Sequence, residues 1–268
     1  MNSPLKLRND QSSATIELAG GRLASLAVDG LELLVPKAAP DMKATRWGSF
    51  PMAPWAGRLP FGKLHFDGTD HEFPLTSPPH ANHGVAHLQE WSVVSQTEST
   101  IVITTALADP WPFGGSATQT FELDGDALTV GIEIANEERP MPALTGWHPW
   151  FRRQLDRGAS AEIDVQPSQT YELDDDMIPT GNLIAVPPPP WNETFVGLAA
   201  PPVIRWAGAL ELEISSTFDH WVVFTEPDHA MAVEPQSGPP NQLNTDPQLV
   251  EPGRPLAGTM TLRWTLPS

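Results

Sequence analysis

Two proton-exchanging side chains stand in this chain beside breaks in backbone regularity. Glu234 closes the apolar run Met231-Ala232-Val233 and is followed by Pro235-Gln236-Ser237-Gly238-Pro239-Pro240-Asn241. Proline has no N–H for a strand ladder, so the run is expected to stop there, leaving the carboxylate at a strand end and facing an irregular loop. Catalytic groups are commonly presented in that way, on a rigid element beside a loop. His148 lies in Thr145-Gly146-Trp147-His148-Pro149-Trp150-Phe151, between tryptophans and just before a proline that fixes the backbone. A carboxylate and an imidazole of pKa near 6.5 can between them take a proton from one atom and give one to another. Each also has a structural reading: Glu234 as a surface residue at a turn, His148 as a core histidine with satisfied nitrogens.

A second histidine cluster is His80-Ala81-Asn82-His83-Gly84-Val85-Ala86-His87. His83 and His87 have the i, i+4 spacing of a zinc-protease helix. Pro78-Pro79 and Gly84 oppose a helix, however, and a metal centre needs three ligands with outer-sphere support. His83, beside a glycine where backbone can approach a ligand, is the better site candidate. His65, His71, His220 and His229 lack comparable context. Arg58, in Trp55-Ala56-Gly57-Arg58-Leu59-Pro60, either donates to oxygens of a small molecule or pairs with a carboxylate as structural glue.

The elements that must hold these groups are strands. Apolar residues alternate with polar ones at Leu128, Val130, Ile132 and Ile134, and again at Met260, Leu262, Trp264 and Leu266. That is the pattern of half-buried antiparallel strands. Further strands are predicted over 14–19, 22–28, 31–35, 91–96, 100–107, 116–123, 161–165, 203–206, 209–215 and 221–226. Asp29-Gly30 and Asp124-Gly125 are hairpin signals. Sustained 3.6-residue periodicity is absent, so few and short helices are expected. Residues 36–60 carry Pro36, Pro40, Pro51, Pro54 and Pro60 around Trp47, Phe50 and Trp55, which predicts a packed loop beside a cleft. Residues 186–202, with Pro187 to Pro190, predict a long loop within one domain, and Glu172 to Asp176 a solvated turn.

The chain has 268 residues, 15 Lys and Arg against 33 Asp and Glu, and no cysteine. That length suits one all-β domain spanning 1–268. A net charge of -18 disfavours nucleic acid and anionic membrane surfaces as partners and favours a neutral small molecule. Without cysteine there are neither disulfides nor thiolate nucleophiles. No run approaches the roughly 18 apolar residues of a membrane helix and the N-terminus lacks a signal-peptide core, so a cytoplasmic location is expected.

Four motifs in this order, Gly57-Arg58-Leu59, Asn82-His83-Gly84, Gly146-Trp147-His148-Pro149-Trp150-Phe151 and Glu234-Pro235-Gln236-Ser237-Gly238-Pro239-Pro240, resemble those of the aldose 1-epimerase (galactose mutarotase) family. The likeness runs from about Thr15 to Leu266. It implies an all-β fold, the large antiparallel sandwich of the mutarotase-like superfamily, with a sugar lying across a concave face. It implies interconversion of α and β anomers of an aldohexose without metal or cofactor, in a monomer or homodimer. By the resemblance Glu234 is the general base, His148 the general acid, His83 a second histidine and Arg58 a substrate-binding arginine. An aspartate of the family that contacts sugar hydroxyls falls on Asn192, with Glu193 as a stand-in for the missing charge. Gly57 stands where many members have Asn, and Trp150 where Tyr is common; Trp147, Trp150 and Trp191 are candidates to stack on the sugar.

Within this reading a hexose 6-phosphate competes with a neutral hexose. A phosphate would need clustered cations, and Arg46, Arg58, Arg152 and Arg153 are the supply near the motifs. A non-catalytic carbohydrate-binding or sensor protein on the same sandwich is the alternative from another class. A uronate lyase would need Tyr or Lys along a basic groove, and the chain has one Tyr.

Overall fold

The alternating runs pair into two antiparallel sheets in a computed structural model that describes residues 4–267. One sheet orders its strands Ser92–Gln96, Thr100–Ala106, Ser116–Asp124, Ala127–Ala135, Leu256–Thr265, Leu210–Ser216, Val203–Trp206 and Glu162–Asp164. Its register brings Phe121, Val130 and Met260 into one row, so apolar residues line one face. Asp124-Gly125 turns the hairpin between two of these strands, and Asp29-Gly30 turns another between Arg22–Val28 and Leu31–Glu32.

The other sheet runs Leu5–Arg8, Ser12–Glu17, Arg22–Val28, Ser49–Met52, Gly146–Arg152, Ala230–Gln236, His220–Phe224, Asn192–Val196, Gln169–Leu173 and Pro179–Ile184. The two sheets pack face to face as a sandwich around one apolar core. Buried polar contacts cross the gap: Trp147 Nε1 donates to Gln119 Oε1 at 3.2 Å, and Gln119 Nε2 to the Gly21 carbonyl at 2.6 Å. Helix is confined, among the described residues, to Gln242–Thr245 and three short 3-10 segments.

Several expectations need correction. The strand Ala230–Gln236 runs through Pro235, so Glu234 lies inside a strand and not at its end. Residues 36–60 are not simply a loop, because Ser49–Met52 is an inner strand of the larger sheet. Nor are 186–202 a plain loop: Asn192–Val196 pairs with His220–Phe224. Glu172 and Leu173 end the strand Gln169–Leu173, and only the residues after them turn. The three inner strands share a cause. Ser49–Met52, Gly146–Arg152 and Ala230–Gln236 are buried on both faces, so their side chains show no alternation to read.

Candidate active site

Strand register assembles the site on the outer face of the larger sheet. Phe50 pairs with His148, Glu234 with Val222 and Val222 with Thr194. Gly146 opposite Gln236 and Trp150 opposite Ala232 carry the same register between the two central strands, which sets His148 across from Glu234. Two residues along, Trp150, Ala232, Phe224 and Asn192 form the neighbouring row. Side chains two apart share a face, so both rows, apart from Phe50 and Ala232, line one cavity of about 240 Å³. The alternate residues Trp147, Val233, Val223 and Phe195 face the core.

Two further strands complete the wall. Arg58–Leu59 pairs with Ala81–Asn82, placing Arg58 opposite Asn82 and next to His83. His83 has φ 65 and is tied to Gly57 twice: its N–H donates to the Gly57 carbonyl at 3.0 Å, and the Gly57 N–H donates to its Nδ1 at 3.3 Å. With Nδ1 accepting, the neutral ring carries its proton on Nε2. The ring stands edge-on to His148, centroids 5.2 Å apart.

The cavity is lined by all six residues predicted for the site: Arg58, His83, His148, Trp150, Asn192 and Glu234. His148 Nε2 lies 3.2 Å from Glu234 Oε1, and Gln236 Nε2 lies 3.4 Å from Glu234 Oε2. Trp150 stacks on His148 at 4.8 Å and donates from Nε1 to the Thr45 carbonyl at 2.9 Å.

Expectations fail at Trp147, Trp191, Glu193 and Gly84. Trp147 is in the core and Trp191 donates to the Pro187 carbonyl, and neither lines the cavity. Glu193 points away and accepts from Thr170 Oγ1, so it cannot stand in for a charge at Asn192. Gly84 admits backbone rather than a ligand, since a Cβ there would meet the Ala53 carbonyl oxygen at 2.1 Å. His87 is buried with Nδ1 3.1 Å from the His83 carbonyl oxygen. Among the described residues no three His, Asp or Glu side chains group to hold a metal ion. His65 sits beside Asp70, and His220 contacts Tyr171 and Asp219, all outside the cavity.

Gln236 and Thr194 escaped the sequence reading. Both follow from period two, counted from Glu234 and from Asn192, once the strand is allowed to continue through Pro235.

Burial sets the electrostatics. Glu234 is 2% exposed, and desolvation raises its pKa well above the usual value while the Arg58 charge and the Gln236 amide pull it back down. Desolvation lowers His148 strongly and His83 as well, with His148 and His87 adding to the effect at His83. The His148–Glu234 pair therefore holds one proton over a wide pH range. Placing that proton on the carboxyl or on Nε2 leaves the net charge of the pair at zero, so a shift between the two states needs no proton from solvent.

The sequence profile described as aldose 1-epimerase matches residues 4–238. The chain belongs to the aldose 1-epimerase family. The uncharacterized protein YihR of Escherichia coli strain K12 is 24% identical over 276 residues, covering 90% of this chain and 87% of that one. The GalM/aldose epimerase homologue from C. elegans superimposes with a TM-score of 0.84 at 18% identity, over 99% of both chains. The galactose 1-epimerase from Lactobacillus acidophilus NCFM does so with 0.80 at 14% identity, over 99% of this chain and 95% of that one. These two similarities are of fold. In this aldose 1-epimerase family member Gly57 has φ 67, and a Cβ there would meet Pro240 Cγ at 2.7 Å. The close approach of Pro240 accounts for glycine at a position where the sequence resemblance expects Asn. No helix of the aldose epimerase fold described here is long and apolar enough to cross a membrane.

Proposed function

We propose that this protein is an aldose 1-epimerase acting on an aldohexose, with one mutarotase-like domain over the whole chain, Glu234 as general base and His148 as general acid. The observation that carries the reading is the buried contact between His148 Nε2 and Glu234 Oε1 on the cavity floor. The hydroxyl oxygen to be deprotonated and the ring oxygen to be protonated are bonded to the same anomeric carbon. An acid and a base that touch each other can therefore each reach one of them.

The steps follow from that geometry. Glu234 takes the proton of the anomeric hydroxyl as its C–O bond becomes a carbonyl, the bond from C1 to the ring oxygen breaks, and His148 protonates that oxygen. Rotation about C1–C2 turns the aldehyde's other face to the freed hydroxyl. Reclosure returns one proton to His148 and one from Glu234 to the new anomeric oxygen. Arg58 steadies the carboxylate and His83 offers an Nε2–H to a ring substituent. General acid–base catalysis of this kind contributes about 10²- to 10⁴-fold.

The test is proton NMR of freshly dissolved α-glucose and α-galactose with catalytic protein, beside Glu234→Gln. Faster anomer equilibration that the variant loses supports the reading. Saturable sugar binding without acceleration would favour a sensor on this fold.

A further inference from the structure

We infer that the aldose taken by this cavity carries an oxyanionic group on its exocyclic C6, received by Lys43 and Arg46; this rests on the mutarotase reading above. The first observation is a reversal of charge. Acidic residues outnumber basic ones 33 to 15 in the chain, yet the cavity is lined by Lys43, Arg46 and Arg58 with Glu234 as its one acidic side chain. The Arg58 guanidinium donates to the Met177 carbonyl at 3.4 Å, and its charge acts on Glu234. Lys43 and Arg46 are exposed and have no ion-pair partner among the described residues.

The second observation is how firmly the backbone that bears these two cations is held. Lys43 immediately precedes the 3-10 turn Ala44–Arg46, and Arg46 ends it. Arg22, 1% exposed, donates from Nη2 to the Ala44 carbonyl and from Nη1 to the Trp47 carbonyl, both at 2.5 Å, and lies 4.2 Å over the Trp47 ring. Trp150 Nε1 binds the Thr45 carbonyl from the cavity floor. Three buried donors thus clamp three carbonyls of one short turn. A buried arginine is costly unless its donors are used, and here they are used to fix a cationic shelf.

The third is direction. The ring oxygen meets His148 in the proposed chemistry, and C5, which bears C6, is bonded to that oxygen. C6 therefore projects to the His148 side of the floor, where Trp150 stacks on His148 and reaches Thr45. The Arg46 charge acts on His148 across this same space. Arg152 and Arg153, the other cations singled out in the sequence, are spent elsewhere: Arg152 pairs with Asp156, and Arg153 donates to the Pro227 carbonyl. The acidity of the whole chain thus points the wrong way for this site.

The experiment compares anomerisation of glucose, glucose 6-phosphate and glucuronate by the full-length protein, and repeats it with Lys43→Gln/Arg46→Gln. At least one charged sugar is expected to exceed glucose in kcat/KM by about 10-fold or more, as two charge-assisted contacts allow. The double variant should cut that charged-to-neutral ratio by about 10-fold, and high salt should lower it too because the shelf is exposed. Preference for the phosphate alone, or for both anions, supports the inference and separates a dianion from a carboxylate. Glucose turned over as well as either anion, with the ratio unmoved in the variant, overturns it. If no sugar is turned over, the mutarotase reading falls, and calorimetry with the same three sugars judges the shelf: tighter binding of an anion keeps it, equal or absent binding removes it.

Discussion

His148 Nε2 lies 3.2 Å from Glu234 Oε1, the two side chains set directly across neighbouring strands and both buried. Glu234→Gln and His148→Asn are each expected to lower the anomerisation rate by at least about 10²-fold, the lower end for a lost acid–base group. The double variant should cost little more than either single change, because the pair works as a unit. Rates that multiply, or a single variant with wild-type turnover, would remove the shared proton from the mechanism.

Rate against pH should show a plateau wider than two free groups with pKa near 4.5 and 6.5 would give. Burial raises Glu234 and lowers His148, so the singly protonated pair persists on both sides of that window. The alkaline limb is set by Glu234 losing its proton. Arg58 lowers the Glu234 pKa, so Arg58→Met should move that limb to higher pH while also slowing the reaction. A limb that stays put, or moves down, would show that another group sets it.

His87 gives a separate handle on stability. Burial lowers its pKa from 6.5 to about 4. The unfolded chain takes up a proton below about 6.5 that the folded His87 refuses until about 4, so its contribution is intact at pH 7 and lost as pH falls through that range. At about 1.4 kcal/mol per unit, the loss between pH 7 and pH 5 is about 2 kcal/mol. Urea unfolding of wild type and His87→Gln at both pH values should show their difference shifting by that amount in the variant's favour. A pH-independent difference would mean that His87 titrates normally.

Gly57→Ala should destabilise the fold by about 2 kcal/mol. It combines a left-handed backbone angle, which costs about 1–2 kcal/mol without glycine, with a Cβ driven into Pro240. An unchanged thermal midpoint would mean that the Pro240 loop moves aside freely.

Trp150→Phe keeps a ring against His148 but deletes the bond to the Thr45 carbonyl. The expected result is a KM raised about 3- to 10-fold, the range of one lost hydrogen bond, with kcat changed much less. A fall confined to kcat would place Trp150 at the reacting atoms instead of at the shelf.

The outer strands were legible because one of their faces meets solvent and the other the core, as at Leu128 to Ile134. Residue types also marked Glu234, His148, His83 and Arg58, since such groups stand out beside glycine and proline. Of the strands that carry the chemistry, Gly146–Arg152 was not legible as a strand, and the one bearing Glu234 was read as ending at that residue. Gly146–Arg152 is covered on both faces and contains Pro149, and Ala230–Gln236 contains Pro235. Both prolines lie where the ladder steps from Gly146 opposite Gln236 to Trp150 opposite Ala232, so a missing N–H that reads as a strand end costs little here. Lys43 and Arg22 left no local signal, because a cationic shelf and its clamp exist only once distant segments meet.

The site's register also constrains how this cavity can change over evolutionary time. Asn192, Thr194, Val222, Glu234, Gln236, His148 and Trp150 share one face only through two-residue steps along four paired strands. Inserting or deleting one residue within any of those strands would turn its cavity side chains into the core and its core side chains outward. The floor can thus diverge only by substitution in place, and the turn bearing Lys43 and Arg46 is pinned by Arg22 and Trp150, whereas residues 36–42 leading into it lie outside both the ladder and the clamp. New sugar preferences in descendants of this chain should therefore arise by lengthening or shortening residues 36–42 or by substituting Lys43 and Arg46, with the clamped turn and the proton-transfer pair left in their frame.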